Sequence, residues 1–213
     1  MAPKAVVGRV SLYLRQLEAF ERQGCSTVSS DRLGSALGIK NAQVRKDLAF
    51  FGQFGHPGVG YRIEEMIPAL RHILGIDRDW PLAIIGLGNL GRALVRYRGF
   101  RTRGFHVVAL FDNDARKIGQ TYDGLTVEPI DALRKTVSAR GITLGVLSVP
   151  AEAAQRVADQ MVASGILGIL NFAPLTLNLP PTVNVVGVDL SLQLEHLAYK
   201  VRTSNGEDVS RVG

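Results

Sequence analysis

A hydrophobic run, Pro81-Leu-Ala-Ile-Ile85, passes directly into Gly86-Leu-Gly-Asn-Leu-Gly91, and an amphipathic stretch follows. That order of strand, Gly-x-Gly-x-x-Gly and helix constrains the fold more than any other feature of the chain. Gly86 permits the tight turn, Gly88 lets a pyrophosphate approach the backbone, and Gly91 lets helix and strand pack closely. Helix N-terminal N–H groups then face the phosphates. Gly86, Leu87, Gly88, Asn89, Leu90 and Gly91 are therefore candidate phosphate-loop residues. A second strand ends in Phe111-Asp112, twenty-one residues beyond Gly91. A carboxylate there can accept hydrogen bonds from adenine-ribose hydroxyls and repels a 2′-phosphate, which favours NAD(H) over NADP(H). The same pattern also suits a Rossmann fold for another nucleotide, or one that has lost its ligand.

Short apolar runs alternate with amphipathic segments beyond Pro81. The strand-like runs are Leu82–Ile85, His106–Phe111, Ile142–Val149, Gly168–Asn171 and Val183–Val188. The helix-like segments are Leu90–Tyr97, Asp131–Ala139, Ala151–Ser164 and Leu190–Val201. Such alternation predicts a parallel α/β sheet. A dehydrogenase on this sheet needs a general acid or base beside the nicotinamide, usually His or Lys. None of His56, His72, His106 and His196 falls at the carboxyl end of a predicted strand, where these sheets hold ligands. Those ends carry Ser148-Val-Pro150 and Asn171-Phe-Ala-Pro174, so Val149, Pro150, Asn171 and Phe172 are read as pocket walls. Binding without turnover is the favoured reading. One alternative is an NAD-dependent oxidoreductase with an N-terminal dimerisation module; another is a scaffold that holds NAD structurally.

Before residue 80 the pattern is different. Val6, Val10, Leu14 and Leu17 mark a helix over 5–22, and Gly24–Ser30 reads as a turn. Ser29 or Ser30 can cap a short helix through Leu37, which Gly38 breaks. Asn41 is predicted to cap a third helix, from Ala42 to about Phe51. Gly52–Tyr61 holds four glycines and Pro57, too many breakers for a helix, and reads as a hairpin. Glu64–Leu74 is a fourth helix and Asp77–Trp80 a linker. Two short helices joined at a glycine and followed by a hairpin match a winged helix-turn-helix. In the third helix Gln43 and Arg45 suit base edges, and Lys40 and Lys46 suit phosphates, with Asn41 in the same turn. His56, Gly58 and Tyr61 would form the wing, while Val44 and Leu48 point to the core. The competing reading is a three-helix dimerisation module with Arg45 and Lys46 on a solvated face.

The net charge of +6 permits a polyanionic partner, and the excess is local: Asp47 is the one acid among Arg32, Lys40, Arg45, Lys46 and Arg62. One cysteine, Cys25, gives no internal disulfide and fits a reducing compartment. No apolar run approaches a membrane span, and the N-terminus has no signal-peptide run. A cytoplasmic protein is expected, with neither membrane nor metal as a partner.

With both halves in view, residues 5 to 200 resemble the Rex family of redox-sensing transcriptional repressors. The matching residues are Gln43-Val-Arg-Lys-Asp-Leu48, Phe51-Gly-Gln-Phe-Gly55, Gly58-Val-Gly-Tyr61 and the Gly86–Gly91 loop. They continue with Tyr97-Arg-Gly-Phe100, Phe111-Asp112, Ser148-Val-Pro150, Gly168-Ile-Leu-Asn-Phe-Ala-Pro174 and Val188-Asp-Leu190. The resemblance implies a homodimer that binds palindromic operator DNA when NAD+ dominates and releases it when NADH binds, both nucleotides acting as effectors. It implies that Leu190–Val201 swaps across the dimer. The stripe Leu190, Leu194, Leu197 and Val201, widened by Leu192 and Ala198, gives that helix an apolar face; packing on its own sheet is the alternative. It also suggests Asp189 as a switch, paired with Arg15 while DNA is held and with Tyr97 after NADH closes the dimer. An ordinary helix cap at Asp189 is the alternative. One departure is the wing tip, His56-Pro57, where the family usually has Lys or Arg, so the helix contacts are expected to dominate. The expected organisation is a winged-helix reader at 1–78, a Rossmann-type NAD(H) domain at 79–188, and a dimer-swapped C-terminal helix and tail at 189–213.

Overall fold

The computed structural model describes residues 2–204; the tail at 205–213, part of the expected C-terminal segment, lies outside the described residues, as does Met1. The chain falls into two compact units, Met1–Asp79 and Trp80–Gly213.

The first unit runs α1 (Lys4–Arg22), β1 (Thr27–Val28), α2 (Ser30–Leu37), α3 (Asn41–Ala49), β2 (Gly55–His56), β3 (Gly60–Arg62) and α4 (Ile63–Ile73). Apolar residues three and four apart put Val10, Tyr13, Leu14, Leu17 and Phe20 on the buried face of α1. That face packs with Leu33 of α2, Val44 and Leu48 of α3, and Met66, Ile67 and Leu70 of α4. Ser29 Oγ accepts the Arg32 N–H at 3.0 Å and so caps α2. Gly38, at φ 66°, ends that helix in the left-handed conformation. Asn41 is not the cap of α3. Lys40 holds that position, and the Asn41 amide instead donates to Asp31 Oδ1 at 3.3 Å.

The stretch predicted as a turn contains β1, which pairs antiparallel with β3 through Thr27 with Arg62 and Val28 with Tyr61. Two residues are too few to show alternation. The hairpin β2–β3 forms the wing. Gly60 sits at φ 90°, and a Cβ there would lie 2.6 Å from the Val28 carbonyl oxygen, so only glycine lets the strands meet.

The second unit runs β4 (Trp80–Ile85), α5 (Asn89–Val95), α6 (Arg98–Arg101), β5 (Phe105–Asp112), β6 (Thr121–Tyr122), β7 (Leu125–Pro129), α7 (Leu133–Ala139), β8 (Leu144–Leu147), α8 (Ala151–Ala163), β9 (Gly168–Asn171), β10 (Asn184–Gly187) and α9 (Leu190–Ser204). The sheet order is β10-β9-β8-β4-β5-β7-β6. Every pairing is parallel except the β6–β7 hairpin. This is the doubly wound Rossmann order, and its reversal point lies between β4 and β8.

The sequence reading missed β6, β7 and α6. The first two are joined by Asp123 at φ 50° and Gly124 at φ 79°, an Asp-Gly pair of the kind that favours a two-residue hairpin turn.

Ala83, Ile85, Ala109 and Phe111 on one sheet face pack beneath Val137 of α7 and Ala154, Ala158 and Met161 of α8. The opposite face, with Leu82, Ile84, Leu110 and Val146, meets Val95 and Phe100. Toward β10 that face remains open as a groove of about 380 Å³ lined by Leu144, Leu170 and Val186 among others. Helix α9 buries none of its residues: Leu190 is 62 % exposed and Leu194 65 %. Its apolar stripe therefore does not pack on its own sheet.

Candidate nucleotide cleft and nucleic-acid interface

At the reversal point the carboxyl ends of β4 and β8 diverge, opening a cleft of about 350 Å³. It is lined by Gly86, Gly88, Asp112, Ser148, Val149 and Pro150, with Ile130, Ala153 and Val157 supplying apolar wall and Asn113, Asp114, Lys117, Arg156 and Gln160 polar rim. The three loop glycines are required for different reasons. A Cβ on Gly86, at φ 95°, would lie 2.5 Å from the Ser148 carbonyl oxygen, and one on Gly91 would strike the Gly86 carbonyl oxygen. A Cβ on Gly88 would meet nothing within 4 Å. Packing within the protein dictates the first and third glycines; the second keeps space clear for something else. That cradle fits a dinucleotide pyrophosphate.

Asp112 is buried at the end of β5 and does more than the sequence suggested. Its Oδ2 accepts the Leu87 N–H at 2.7 Å and the Lys117 ammonium at 2.9 Å, while Oδ1 accepts the Asp114 N–H at 2.9 Å. The carboxylate clamps the phosphate loop to β5 and retains lone-pair capacity for a ribose hydroxyl. Burial pushes its pKa up, but the Asp114 N–H, Lys117 and the Leu87 N–H outweigh this and hold it below the ordinary carboxylate value. Ser148 adds a second clamp, its Oγ donating to the Gly86 carbonyl at 2.9 Å. Leu87 is fully buried, whereas Asn89 and Leu90 are exposed in the first turn of α5.

Two expected wall residues lie elsewhere. Asn171 is buried and folds the following loop back on itself: its amide donates to the Ala173 and Leu175 carbonyls and its Oδ1 accepts the Ala173 N–H. An Asn at a strand end satisfies local backbone groups in this way. Phe172 packs with the apolar cluster of Leu87 and Val95 and does not line the cleft. Asp189 caps α9, its Oδ1 accepting the Ser191 N–H at 2.8 Å and the Leu192 N–H at 3.1 Å. Tyr97 is exposed, edge-on to Phe100 with ring centroids 5.2 Å apart. Arg15 is exposed on α1.

On the reader, Lys40, Arg45 and Lys46 are exposed, and Arg45 donates to Ser30 Oγ at 3.0 Å. Beneath them lies a buried group that the sequence reading did not assign. Asp47 is 1 % exposed, takes the Arg9 guanidinium on both oxygens at 2.6 and 2.8 Å, and accepts from the Tyr13 hydroxyl at 2.7 Å and the Gln43 amide at 2.7 Å. Burial raises the Asp47 pKa, but these donors more than reverse it. Burial and the neighbouring Asp47 push the Tyr13 phenol up. The available signal was a lone acid in a basic stretch, one position before buried Leu48 and three after buried Val44.

Tyr61 is a correction. It is 7 % exposed, its ring belongs to the core beneath the wing, and burial raises its pKa. His56 at the wing is exposed and faces Glu65 at 2.9 Å, which draws the Glu65 pKa down. Gly58, at φ 77°, forms the open tip.

A winged helix-turn-helix and a Rossmann unit with a dinucleotide-type cleft define the class: a DNA-reading protein that carries its own nucleotide sensor. Residues 2–49 match the family described as a putative DNA-binding protein N-terminus, and residues 77–175 the one described as a CoA binding domain. The redox-sensing transcriptional repressor Rex of Desulfitobacterium hafniense is 45% identical over 94% of this chain and 96% of its own. That of Carboxydothermus hydrogenoformans is 47% identical over the same shares. Among solved structures, RSP in complex with β-NAD+ and operator DNA superposes with a TM-score of 0.92 at 34% identity, covering 96% of this chain and 94% of that one. RSP in complex with β-NADH gives 0.88 at 32% identity, covering 96% of each. The chain belongs to the Rex family of redox-sensing transcriptional repressors.

Proposed function

We propose that this chain is a homodimeric repressor that holds palindromic operator DNA when NAD+ fills its cleft and releases it when NADH does. The observation that carries the cofactor reading is the open space at Gly88, between two glycines fixed by packing. The relatives' complexes with NAD+ and operator DNA and with NADH supply the pairing of ligands. The segments are the reader at 1–78, the cofactor domain at 79–188 and the dimerisation segment at 189–213.

NADH differs from NAD+ by a hydride and one unit of ring charge. An effector shifts an equilibrium only by its differential affinity for the two states, so that difference must alter dimer geometry. The neutral dihydronicotinamide favours an apolar surround. Asp189 pairs with Arg15 in the DNA-competent state and with Tyr97 after NADH closes the dimer. The unpartnered stripe of α9 and the open groove near β10 support dimerisation, each burying apolar surface only against a second copy. In the reader, Arg45 and Gln43 contact bases, while Lys40 and Lys46 contact phosphates.

The cofactor is read and not turned over. Among the described residues the cleft lining holds no histidine, and the lysine in it, Lys117, is paired with Asp112. The protein works in the cytoplasm; among the described residues no helix is long and apolar enough to cross a membrane. A gel shift on palindromic DNA, titrated separately with NADH and NAD+, tests the proposal. Release by NADH alone is expected, and equal retention with both overturns it. Overnight incubation with NADH and carbonyl compounds separates the oxidoreductase alternative, which requires turnover.

A further inference from the structure

Gln160 lines the nucleotide cleft from α8, and the protein gives its inner atom nothing to bond. The residue is half-buried, yet its Oε1 is sealed from solvent and, among the described residues, has no hydrogen-bond partner. No other buried side-chain nitrogen or oxygen of the described residues is left in that position. A buried acceptor without a donor weakens a fold. A ligand that carries an N–H to that atom removes the penalty on binding.

Three features say which part of a dinucleotide reaches it. Asp112 closes β5 and marks the adenosine ribose. Ile130 follows β7, which pairs with β5 on the side away from β4, so Ile130 stands on the adenosine side of the cleft. Ala153, Val157 and Gln160, spaced four and three apart, line the cleft along one side of α8. Ile130, Ala153 and Val157 thus form an apolar slot suited to a flat base, and Gln160 is the next member of the row beyond Val157. Helical side chains lean toward the N-terminus of their helix. On α8 that is the end beside Pro150, so Gln160 extends toward the slot.

Resting on the cofactor reading proposed above, we infer that Gln160 is a specificity-determining residue for the base of the nucleotide: its Oε1 accepts a hydrogen bond from the adenine N6 amine. The apolar slot selects a base by shape, and the amide selects by its edge. Hypoxanthine has nearly the same shape but carries a carbonyl where adenine carries the amine, and guanine does likewise. Either would set oxygen against oxygen. The cleft therefore takes adenine dinucleotides in preference to those of hypoxanthine or guanine.

The test is calorimetry on the full chain with NADH and with reduced nicotinamide hypoxanthine dinucleotide. The wild type should bind NADH more tightly by roughly three- to tenfold, the worth of one hydrogen bond. Gln160→Met keeps the length of the side chain and its helix propensity but removes the acceptor. It should weaken NADH by a similar factor and bring the two dinucleotides to near-equal affinity. The same substitution relieves the unpartnered oxygen, so the nucleotide-free variant should melt about 2–4 °C above the wild type. A glutamine with a merely structural duty would move the melting temperature the other way.

Equal affinity of the wild type for the two dinucleotides overturns the inference, as does a preference for hypoxanthine. So does a preference for NADH that survives in Gln160→Met, or a nucleotide-free variant that melts at or below the wild-type temperature. If Gln160→Met does not fold, the comparison of dinucleotides on the wild type decides alone. Failure of the wild type to bind either dinucleotide would instead overturn the cofactor reading, so the two failures are distinguishable.

Discussion

The Asp112 carboxylate holds the Leu87 N–H at 2.7 Å across the turn of the phosphate loop. The acid that the sequence marked for the cofactor's ribose is thus also a structural part of the loop that faces the pyrophosphate. Asp112→Ala should leave that buried N–H without an acceptor and take away the nearer of the two carboxylates beside the Lys117 ammonium, costing about 1–3 kcal/mol in urea unfolding. NADH affinity should fall as well, measured by calorimetry. A stable variant with full affinity would show the clamp to be idle.

The three glycines of the loop separate folding from binding. Gly88 has φ −68°, open to any residue, and free space at its Cβ position. Gly88→Ala should melt at the wild-type temperature yet lose NAD(H), because its methyl occupies the phosphates' space. Gly91→Ala should lose both, since its Cβ strikes the Gly86 carbonyl oxygen. Thermal melts with and without NADH distinguish the pair. Retention of NADH affinity by Gly88→Ala would contradict the cleft assignment.

The Arg9–Tyr13–Asp47 group predicts how the reader responds to pH. Asp47 has a folded pKa below its unfolded value, so its contribution is complete above about pH 4 and lost as pH falls through the lowered value. Tyr13 has a folded pKa above its unfolded value near 10, so its contribution is complete below that and lost as pH rises further. Reader stability should therefore be level between about pH 4 and 10 as far as these groups decide it. Tyr13→Phe should remove the alkaline fall, as helix circular dichroism during melting would show. An alkaline limb that survives Tyr13→Phe belongs to another group.

The parts of this fold that were legible in the sequence were those with a repeating signal. Val10, Leu14 and Leu17 recur at helix spacing, and Leu82–Ile85 is an unbroken apolar run ending at a glycine, so α1 and β4 were readable. Strands β1 and β6 have two residues each and no period to detect. The Asp123-Gly124 turn carries a local signal, but the two-residue strand before it has no alternation to mark it as a hairpin arm. Side-chain duties were harder to read, because the Asp47 network joins residues 34 and 38 positions apart. Asn171 and Phe172 show the same limit. Their place at a strand end was readable, but the turn that buries one and directs the other onto the Leu87 side was not.

Arg45 and Lys46 are adjacent and exposed, yet their roles should separate in solution. Lys46→Ala should weaken binding to all sequences alike and flatten the salt dependence by about one unit of slope, as expected for a lost phosphate contact. Arg45→Ala should cost about 1–3 kcal/mol at one base pair and relax selection there. Titrations on operator and random duplexes at several salt concentrations read both effects. Equal losses on the two duplexes for Arg45→Ala would remove it from the base readers.

Asp189 already has a task, accepting the Ser191 and Leu192 N–H groups at the start of α9. A switch role must be separated from that cap, and asparagine does so, because it caps helices as well as aspartate but carries no charge. Asp189→Asn should keep α9 helical and the protein dimeric while weakening ion pairing with Arg15. Operator affinity with NAD+ should fall, and Arg15→Ala in the same chain should add little, as the proposed pairing of the two requires. Linkage supplies an independent check: whatever factor NADH removes from operator affinity, operator DNA must remove from NADH affinity, and both factors should shrink together in Asp189→Asn. If Asp189→Asn releases DNA at the wild-type NADH concentration while Asp189→Ala does not, the residue acts through its cap, and the charge has no part in the switch.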